Sequence, residues 1–231
     1  MQRQKTLKVR CEKKFIISHA DYYILSSLLK ATLQKDPYAK DNGEYFVRSL
    51  YFDTFDDKDY KEKQAALEKR QKVRLRIYDT TSKTVKLENK RKYGRNMIKH
   101  VAEISADDAL RMVDGDYDCL MKYNNDMINS IYAEVISANR VPKVVVDYYR
   151  EAYIEESMGF RINFDKKICN TTECSLFHSN LSTTPILLDD YFVLEVKYTD
   201  YVPSHVQAIL SSFNLIETTY SKYVYSRYKY L

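Results

Sequence analysis

The sequence predicts an α+β protein with an eight-stranded antiparallel β-sheet or β-barrel and helices packed outside it. Eight segments alternate apolar and polar residues, which is the period of a β-strand. The segments are mostly long and joined by turns with few crossover helices, as in an antiparallel sheet or barrel. A chain of 231 residues is long enough for one large domain, so we expect a single domain over residues 1–231.

The predicted strands are mostly long and alternate apolar with polar residues. Four amphipathic segments between them are predicted to form helices. The strands are Leu7–Ile17, Tyr45–Phe52, Val73–Asp79, Thr84–Lys90, Ile98–Ile104, Val144–Ala152, Phe160–Lys166 and Tyr191–Tyr198. The helices run from Ser18 to about Leu33, from Ser105 over a short stretch, over Tyr117–Ala138 and over Ser204–Phe213. Ser18 and Ser105 are each followed three residues later by an aspartate, a pattern typical of a helix start. The polar stretch Cys169–Pro185 predicts a long loop.

Composition excludes several classes of protein. With only 4 glycines, the chain has neither a glycine-rich phosphate loop nor a dinucleotide-binding turn, so phosphates would have to be bound by side chains. A net charge of +5 suits an anionic partner. The 4 cysteines have no CxxC spacing, which indicates reduced thiols and a cytoplasmic location. We expect no signal peptide, since the first ten residues contain no apolar signal region, and no membrane span, since no apolar run reaches about 18 residues.

The unusual feature is a charged face that recurs on seven predicted strands. Arg74 and Arg76, for example, alternate with Val73, Leu75 and Ile77. The bases on this face are Arg10, Lys14, Arg74, Arg76, Lys86, Lys90, Lys99, Arg150, Arg161 and Lys197, and the acids are Glu12, Glu88, Glu103 and Glu195. So many like charges on one sheet repel each other unless an anion or ion pairs neutralise them.

Two interpretations of this face are open. It could be the solvated side of a half-exposed antiparallel sheet. Alternatively, the sheet closes around it and forms a basic tunnel for one linear polyanion. One guanidinium group can bind two phosphate oxygens at once, whereas an ammonium group acts as a point charge. The acids suit a divalent cation such as Mg²⁺ or Mn²⁺ that bridges carboxylate and phosphate.

Eight short motifs occur in an order that resembles a known family. They are Arg10-x-Glu12-x-Lys14-Phe15, SLYFDT (Ser49–Thr54), VRLRIY (Val73–Tyr78), KLENK (Lys86–Lys90), DYYREAY (Asp147–Tyr153), RINFD (Arg161–Asp165), LEVKY (Leu194–Tyr198) and YSKY (Tyr220–Tyr223). Nearly the whole chain thereby resembles the polyphosphate polymerase domain of the vacuolar transporter chaperone (VTC) family, a branch of the triphosphate tunnel metalloenzymes.

The resemblance implies an α+β fold with a closed eight-stranded antiparallel β-barrel and helices packed outside. In the tunnel of this barrel, the terminal phosphoryl group of ATP is transferred to a growing polyphosphate chain. The implied catalytic residues are Arg74, Arg76, Arg150, Arg161 and Lys197. Phosphate-binding roles fall to Lys14, Lys90, Lys99, Tyr148, Ser221 and Lys222, and the charged face adds Arg10 and Lys86. Glu195 resembles the ligand of Mn²⁺ or Mg²⁺, with Glu12 and Glu88 as helpers. Ser221 and Lys222 rest on the resemblance alone.

The sequence departs from the pattern of related families at two positions, and other functions are possible on the same fold. Tunnel hydrolases and cyclases typically begin with Glu-x-Glu-x-Lys, and Arg10 in the first position favours the polymerase branch. Thr219 stands where eukaryotic polymerases have a basic residue. A metal-dependent tripolyphosphatase or nucleoside triphosphatase on the same tunnel, or a non-catalytic polyphosphate-binding module, are the alternatives. The expected partners are ATP and inorganic polyphosphate, with no nucleic acid because the tyrosines are dispersed; a membrane-protein partner is left open.

Overall fold

The computed structural model describes residues 11–94 and 96–228, and their fold is α+β with a large antiparallel sheet. Its strands are β1 (Cys11–Ser18), β2 (Gln34–Lys35), β3 (Glu44–Thr54), β4 (Lys69–Ile77), β5 (Thr84–Tyr93), β6 (Asn96–Ser105), β7 (Arg140–Glu155), β8 (Phe160–Thr171), β9 (Thr184–Pro185) and β10 (Tyr191–Tyr198). The helices are α1 (His19–Thr32), α2 (Lys58–Gln64), α3 (Ala106–Val113), α4 (Asp126–Ser137), α5 (Ser204–Ser211) and α6 (Lys222–Tyr228). Within the described part of the chain, none of these helices is long and apolar enough to span a membrane.

Contacts along the chain define two compact units, each with its own apolar core. Of the described residues, unit one takes those up to Tyr45, Arg150–Lys166 and Asp189–Thr219. Unit two takes Phe46–Tyr149, Lys167–Leu188 and those from Tyr220 onward. Strands β3, β7 and β8 contribute residues to both units.

In unit one, β10 pairs with β1 on one side and with β8 on the other, all antiparallel. Helix α1 begins where the sequence predicts it, because the Ser18 side chain accepts a hydrogen bond from the backbone N–H of Asp21 at 3.1 Å. This helix buries Leu25 and Leu29 against apolar side chains of the strands, such as Phe164. Apolar packing on this side leaves the polar residues of β1, β8 and β10 on the other face of the strands.

In unit two, β3, β4, β5 and β6 pair in chain order, again antiparallel. Leu50, Leu75 and Leu87 come from three successive strands and are completely buried. Ile131 and Val135 of α4 belong to the same core cluster. The alternate residues of β3–β5 therefore share the opposite face, which holds much of the predicted charge.

The predicted helix over Tyr117–Ala138 is wrong as a single element. A 3₁₀ helix covers Asp118–Tyr123, and α4 begins only at Asp126. Asn124 adopts a left-handed conformation with φ of 43°, and the Asn125 side chain accepts hydrogen bonds from the first turn of α4. Asparagine side chains compete with helical backbone bonds in this way, so two consecutive asparagines divided the amphipathic segment.

The other predicted elements are present with shifted ends. All eight predicted strands form, β8 extends to Thr171 so that the predicted loop starts later, and the short helix α6 was not predicted. Residues 7–10 of the first predicted strand lie outside the described residues. Closure of the eight strands into a barrel, and a single domain over 1–231, stay predictions.

One buried ion pair secures the segment between β8 and β9. The guanidinium of Arg48 donates to both carboxylate oxygens of Asp147, at 2.8 and 2.7 Å. It also donates to the backbone carbonyls of Leu176 and His178, at 3.2 and 2.6 Å. Only 2% of the Arg48 side chain is exposed, so its guanidinium depends on these four acceptors for its hydrogen bonds.

We predict that Arg48→Leu lowers the free energy of unfolding by about 3–5 kcal/mol, because it leaves the Asp147 carboxylate buried without its partner. Urea unfolding followed by circular dichroism measures this change. Arg111→Leu is the control, since Arg111 is half exposed and pairs with the similarly exposed Asp116; it should cost less than about 1 kcal/mol. Equal losses in the two variants would show that the buried pair does not stabilise unit two.

Candidate functional site

Most of the predicted site residues gather in two side-chain clusters, one in each unit. The basic cluster, in unit two, consists of Ser49, Tyr51, Lys72, Arg74, Arg76, Glu88, Lys99, Tyr148, Ser221 and Lys222. The mixed cluster, in unit one, consists of Glu12, Lys14, Asp36, Tyr45, Arg150, Arg161, Asn163, Asp165, Glu195 and Lys197.

Strand register builds the basic cluster. Arg74 on β4 lies directly opposite Tyr51 on β3 and Glu88 on β5. Arg76 likewise lies between Ser49 and Lys86. Directly opposite residues on neighbouring strands project from the same face of the sheet, so the alternation predicted from the sequence becomes a two-dimensional array of side chains.

Glu88 is the carboxylate around which the cations of the basic cluster gather. Its oxygens accept from Arg74 Nε at 2.6 Å and from Lys99 Nζ at 2.7 Å, and Arg76 Nη1 lies 4.0 Å away. Burial alone would raise the pKa of this carboxyl, but the charges of Arg74, Arg76 and Lys99 hold it well below its usual range. Glu88 is therefore ionised at neutral pH and orients the cations around it.

Hydroxyl groups surround the two arginines. Arg76 Nε donates to the Ser49 hydroxyl at 3.1 Å, and its Nη2 donates to the Tyr148 hydroxyl at 3.4 Å. The ammonium of Lys222 lies 4.8 Å from the centroid of the Tyr148 ring, within cation–π range. Serine and tyrosine hydroxyls can both donate and accept, so they can turn toward an anion without losing every partner.

Lysines extend the positive charge across the sheet. Lys90 lies directly opposite Lys72 on β4 and directly opposite Lys99 on β6. Like charges in adjacent cross-strand positions are destabilising. Lys72 Nζ donates to the Ser221 hydroxyl at 2.7 Å, so the segment before α6 lies next to these lysines.

The basic cluster has an excess of positive charge. Arg74, Arg76 and Lys99 share the carboxylate of Glu88, so these four groups carry a formal excess of two positive charges, and Lys72 and Lys222 are further cations of the cluster. The side chains of Arg74 and Glu88 are mostly buried, so salt screens the interaction between them weakly. An anion with several oxygen atoms would neutralise the cluster, and guanidinium groups recognise phosphate oxygens geometrically.

The mixed cluster is arranged around Glu195 and Arg150. Arg150 donates to both oxygens of Asp165, at 2.6 and 2.8 Å, and contacts Glu195 at 3.3 Å. Lys197 Nζ donates to the same Glu195 oxygen at 2.6 Å. Burial lowers the pKa of Lys197, although Glu195 opposes that shift.

Arg161 and Asp36 form another part of the mixed cluster. Arg161 Nε donates to the Asn163 side chain at 2.8 Å, and its Nη2 donates to the Tyr45 hydroxyl at 2.8 Å and to the Asp36 carboxylate. Across the mixed cluster, four bases (Lys14, Arg150, Arg161, Lys197) meet four carboxylates (Glu12, Asp36, Asp165, Glu195). This cluster is formally neutral, in contrast to the basic one.

Two carboxylates of the mixed cluster suit a divalent cation that arrives with a phosphate. Over residues 11–94 and 96–228, no group of three or more His, Cys, Asp or Glu is positioned to hold a metal ion alone. Glu12 and Glu195, however, converge on the ammonium of Lys14, at 3.3 and 3.5 Å. Mg²⁺ is commonly bound by one or two carboxylates together with substrate phosphates, so this pair fits such an ion.

The remaining predicted residues are placed less directly. Lys86 lies opposite Arg76, with its ammonium 5.1 Å from the Tyr78 ring centroid. Lys90 shares the charged face through its register. Arg10 lies outside the described residues. Glu88, enclosed by cations, has the environment of an ion-pair partner, and its part in metal binding stays a prediction.

Sequence reasoning missed several members of both clusters. Lys72 lies on the same strand face as Arg74 and Arg76, and a strand predicted to begin at Lys69 instead of Val73 would have included it. Asn163 and Asp165 share a strand face with Arg161 in the same way. The missed residues Ser49, Tyr51, Asp36 and Tyr45 become visible only through strand pairing and tertiary contacts.

Comparisons with known proteins agree with this architecture. A protein from Bacillus halodurans described as "a putative adenylate cyclase" superposes with a TM-score of 0.55 at 12% identity, over 93% of this chain and 94% of that chain. A protein from Pyrococcus horikoshii OT3 gives a TM-score of 0.44 at 11% identity, over 90% of this chain and 92% of that chain. No curated protein sequence matches. The Bacillus structure shows a shared fold.

The sequence comparison is more specific than the structural one. Residues 9–230 match the family described as the VTC domain, which confirms the resemblance that the eight motifs indicated. Because the match includes almost the entire chain, it covers both clusters. The chain belongs to the VTC domain family.

Proposed function

We propose that the protein is a metal-dependent polyphosphate polymerase that transfers the terminal phosphoryl group of ATP to a growing polyphosphate chain. The observation that carries this proposal is the basic cluster, where Arg74, Arg76 and Lys99 share the carboxylate of Glu88 and further cations lie close by. Membership of the VTC domain family supports the choice of polyphosphate as the anion. The closed eight-stranded tunnel is part of this proposal.

The basic cluster would bind phosphate groups through several kinds of donor. Arg74 and Arg76 present planar guanidinium groups, while Lys72, Lys99 and Lys222 supply point charges. The hydroxyls of Tyr148 and Ser221 would donate to further phosphate oxygens. A linear polyphosphate carries charge along its length, so a row of cations across β4, β5 and β6 matches it better than a single arginine pair would.

Phosphoryl transfer depends mainly on positioning and on neutralising charge, with little covalent work for the protein. The end of a polyphosphate chain is already an oxyanion, so it can attack without a strong general base. In the basic cluster, Arg74 and Arg76 would stabilise charge on the transferring group. Arg150, Arg161 and Lys197 are proposed to act on phosphates in the mixed cluster.

Glu195 and Glu12 are the proposed ligands of Mg²⁺ or Mn²⁺. When bound, the ion would neutralise phosphate charge and help to align the reacting groups. Lys14 now bridges these two carboxylates. On metal binding, its ammonium would leave them and become available for a phosphate oxygen.

The partners and location follow from the same reaction. ATP and inorganic polyphosphate are the proposed substrates. The 4 cysteines, all within the described residues, form no disulfide. Reduced thiols and an ATP supply together favour the cytoplasm as the site of the reaction.

We predict that Arg76→Ala reduces polymer synthesis on the order of 10²–10³-fold, because it removes a preorganised donor for the transferring group. The purified protein is incubated with ATP and Mn²⁺ or Mg²⁺, with and without a short polyphosphate primer, and the products are resolved on a gel. Arg111→Ala, which alters an arginine outside both clusters, should leave the rate unchanged.

The products of the unaltered protein decide the reaction class. A ladder of polyphosphate with ADP supports the polymerase, whereas free phosphate without a ladder identifies a triphosphatase. Cyclic AMP would match the description of the Bacillus relative. Tight polyphosphate binding without turnover would identify a binding module. Unchanged synthesis by Arg76→Ala would contradict the role given to the basic cluster.

We predict that Glu195→Gln weakens metal binding without weakening the binding of a metal-free anion. Removing this carboxylate gives the formally neutral mixed cluster one excess positive charge, so metal affinity should fall while affinity for a metal-free anion should not. Polymer synthesis titrated with Mn²⁺ should need at least about 10-fold more metal. Calorimetric binding of tripolyphosphate in EDTA should be unchanged or tighter.

Glu173→Gln is the matched control, because this glutamate is about half exposed and lies outside both clusters. It should alter neither measurement. If Glu195→Gln weakened tripolyphosphate binding in EDTA as strongly as it shifted the metal titration, Glu195 would be supporting the fold of the cluster, and its proposed role as a metal ligand would be wrong.

A further inference from the structure

The first residue of helix α6 contributes a cation to the basic cluster. Lys222 is the first residue of α6, and its ammonium lies 4.8 Å from the Tyr148 ring centroid. Ser221, just before the helix, accepts from Lys72. Both contacts depend on the position of the first turn of α6. That position matters especially for Lys222, because its side chain is long and has many rotamers.

The next residue, Tyr223, fixes that turn. It is 1% exposed, and its hydroxyl donates to the carboxylate of Asp53. Its ring lies 5.1 Å from that of Tyr51, and the ammonium of Lys72 lies 5.5 Å from its centroid. Tyr223 thus touches the basic cluster through its ring and touches β3 through its hydroxyl.

Asp53 is an anchor that does not need Tyr223 to hold its position. Its Oδ1 accepts from the backbone N–H groups of Thr54 and Asp59, at 2.7 and 2.9 Å. Its Oδ2 accepts from the backbone N–H of Tyr60 at 3.0 Å. Asp53 therefore joins the end of β3 to the first turn of α2, and it offers the remaining acceptor capacity of Oδ2 to Tyr223.

The far end of α6 has separate attachments. The Asn170 side chain donates to the backbone carbonyl of Ser226 at 2.6 Å. Arg227 pairs with Asp57 at 3.0 Å. Loss of the Tyr223 hydroxyl would consequently loosen the first turn while the rest of the helix stayed attached.

We propose that Tyr223, held by Asp53, is a positioning residue that sets Lys222 for binding to the phosphate chain. This inference rests on the proposed function, because it assigns Lys222 to a phosphate. Tyr223 itself need not touch the substrate. Its effect on binding passes through the placement of the Lys222 ammonium.

The test is a double-mutant cycle on tripolyphosphate affinity, measured by calorimetry in EDTA. Lys222→Ala should weaken binding about 10- to 100-fold, as expected for loss of a charged contact. Tyr223→Phe, which keeps the ring, should weaken it about 3- to 10-fold. In the Lys222→Ala background, Tyr223→Phe should change affinity less than about 2-fold, because the side chain that it positions is gone.

Tyr225→Phe is the control, because it makes the same chemical change on the same helix at a half-exposed residue. It should leave affinity unchanged. In turnover, Tyr223→Phe should raise the KM for a short polyphosphate primer and leave kcat at saturating primer nearly constant. Thermal unfolding of each variant confirms that the fold is retained.

The outcomes separate the two proposals. If the unaltered protein does not bind tripolyphosphate, the proposed function fails, and this inference fails with it. If the unaltered protein binds and Tyr223→Phe binds equally well, the positioning role is overturned while the proposed function stands. Independent, multiplicative losses in the double variant would also overturn it, because they would show that Tyr223 does not act through Lys222.

Discussion

The cost of burying charge governs the arrangement of both clusters. A carboxylate or guanidinium removed from water is stable only with close partners of opposite charge and with its hydrogen bonds satisfied. Glu88 meets this condition through Arg74 and Lys99, and Arg150 meets it through the two oxygens of Asp165. These ion pairs restrict the rotamers of the charged side chains. The charged faces are therefore preorganised.

The two clusters satisfy this constraint to different extents, and the difference suits them to different ligands. In the mixed cluster, acids and bases balance, so a bound cation or anion must exchange with an existing partner. In the basic cluster, three cations share the carboxylate of Glu88, so an anion that bound there would balance positive charge that Glu88 alone does not. The proposed function, which needs both a metal ion and a phosphate chain, would use both kinds of environment.

The sequence predicted the strands well because strand period, charge alternation and capping serines are local signals. Ser18 and Ser105 mark helix starts through bonds that span three residues. The broken helix after Asp118 was missed because two asparagines outweighed an apolar period. At the site, the strand face was readable from alternation, but Tyr51 and Tyr45 were not, since their roles arise from residues far away in the chain. Ser221 and Lys222 could be found only through family resemblance, because a short helix after a loop has no periodic signal.

The opposed lysines on β4, β5 and β6 would link the folding equilibrium to the anion that is proposed to bind them. Lys90 lies directly opposite Lys72 and Lys99, and like charges in such positions disfavour the folded state relative to an unfolded chain, in which the side chains move apart. An anion bound across them removes that cost and adds its own binding free energy to the folded state alone. Under the proposed function, the lifetime of the protein in a cell would then rise and fall with the concentration of the polyanion that it binds.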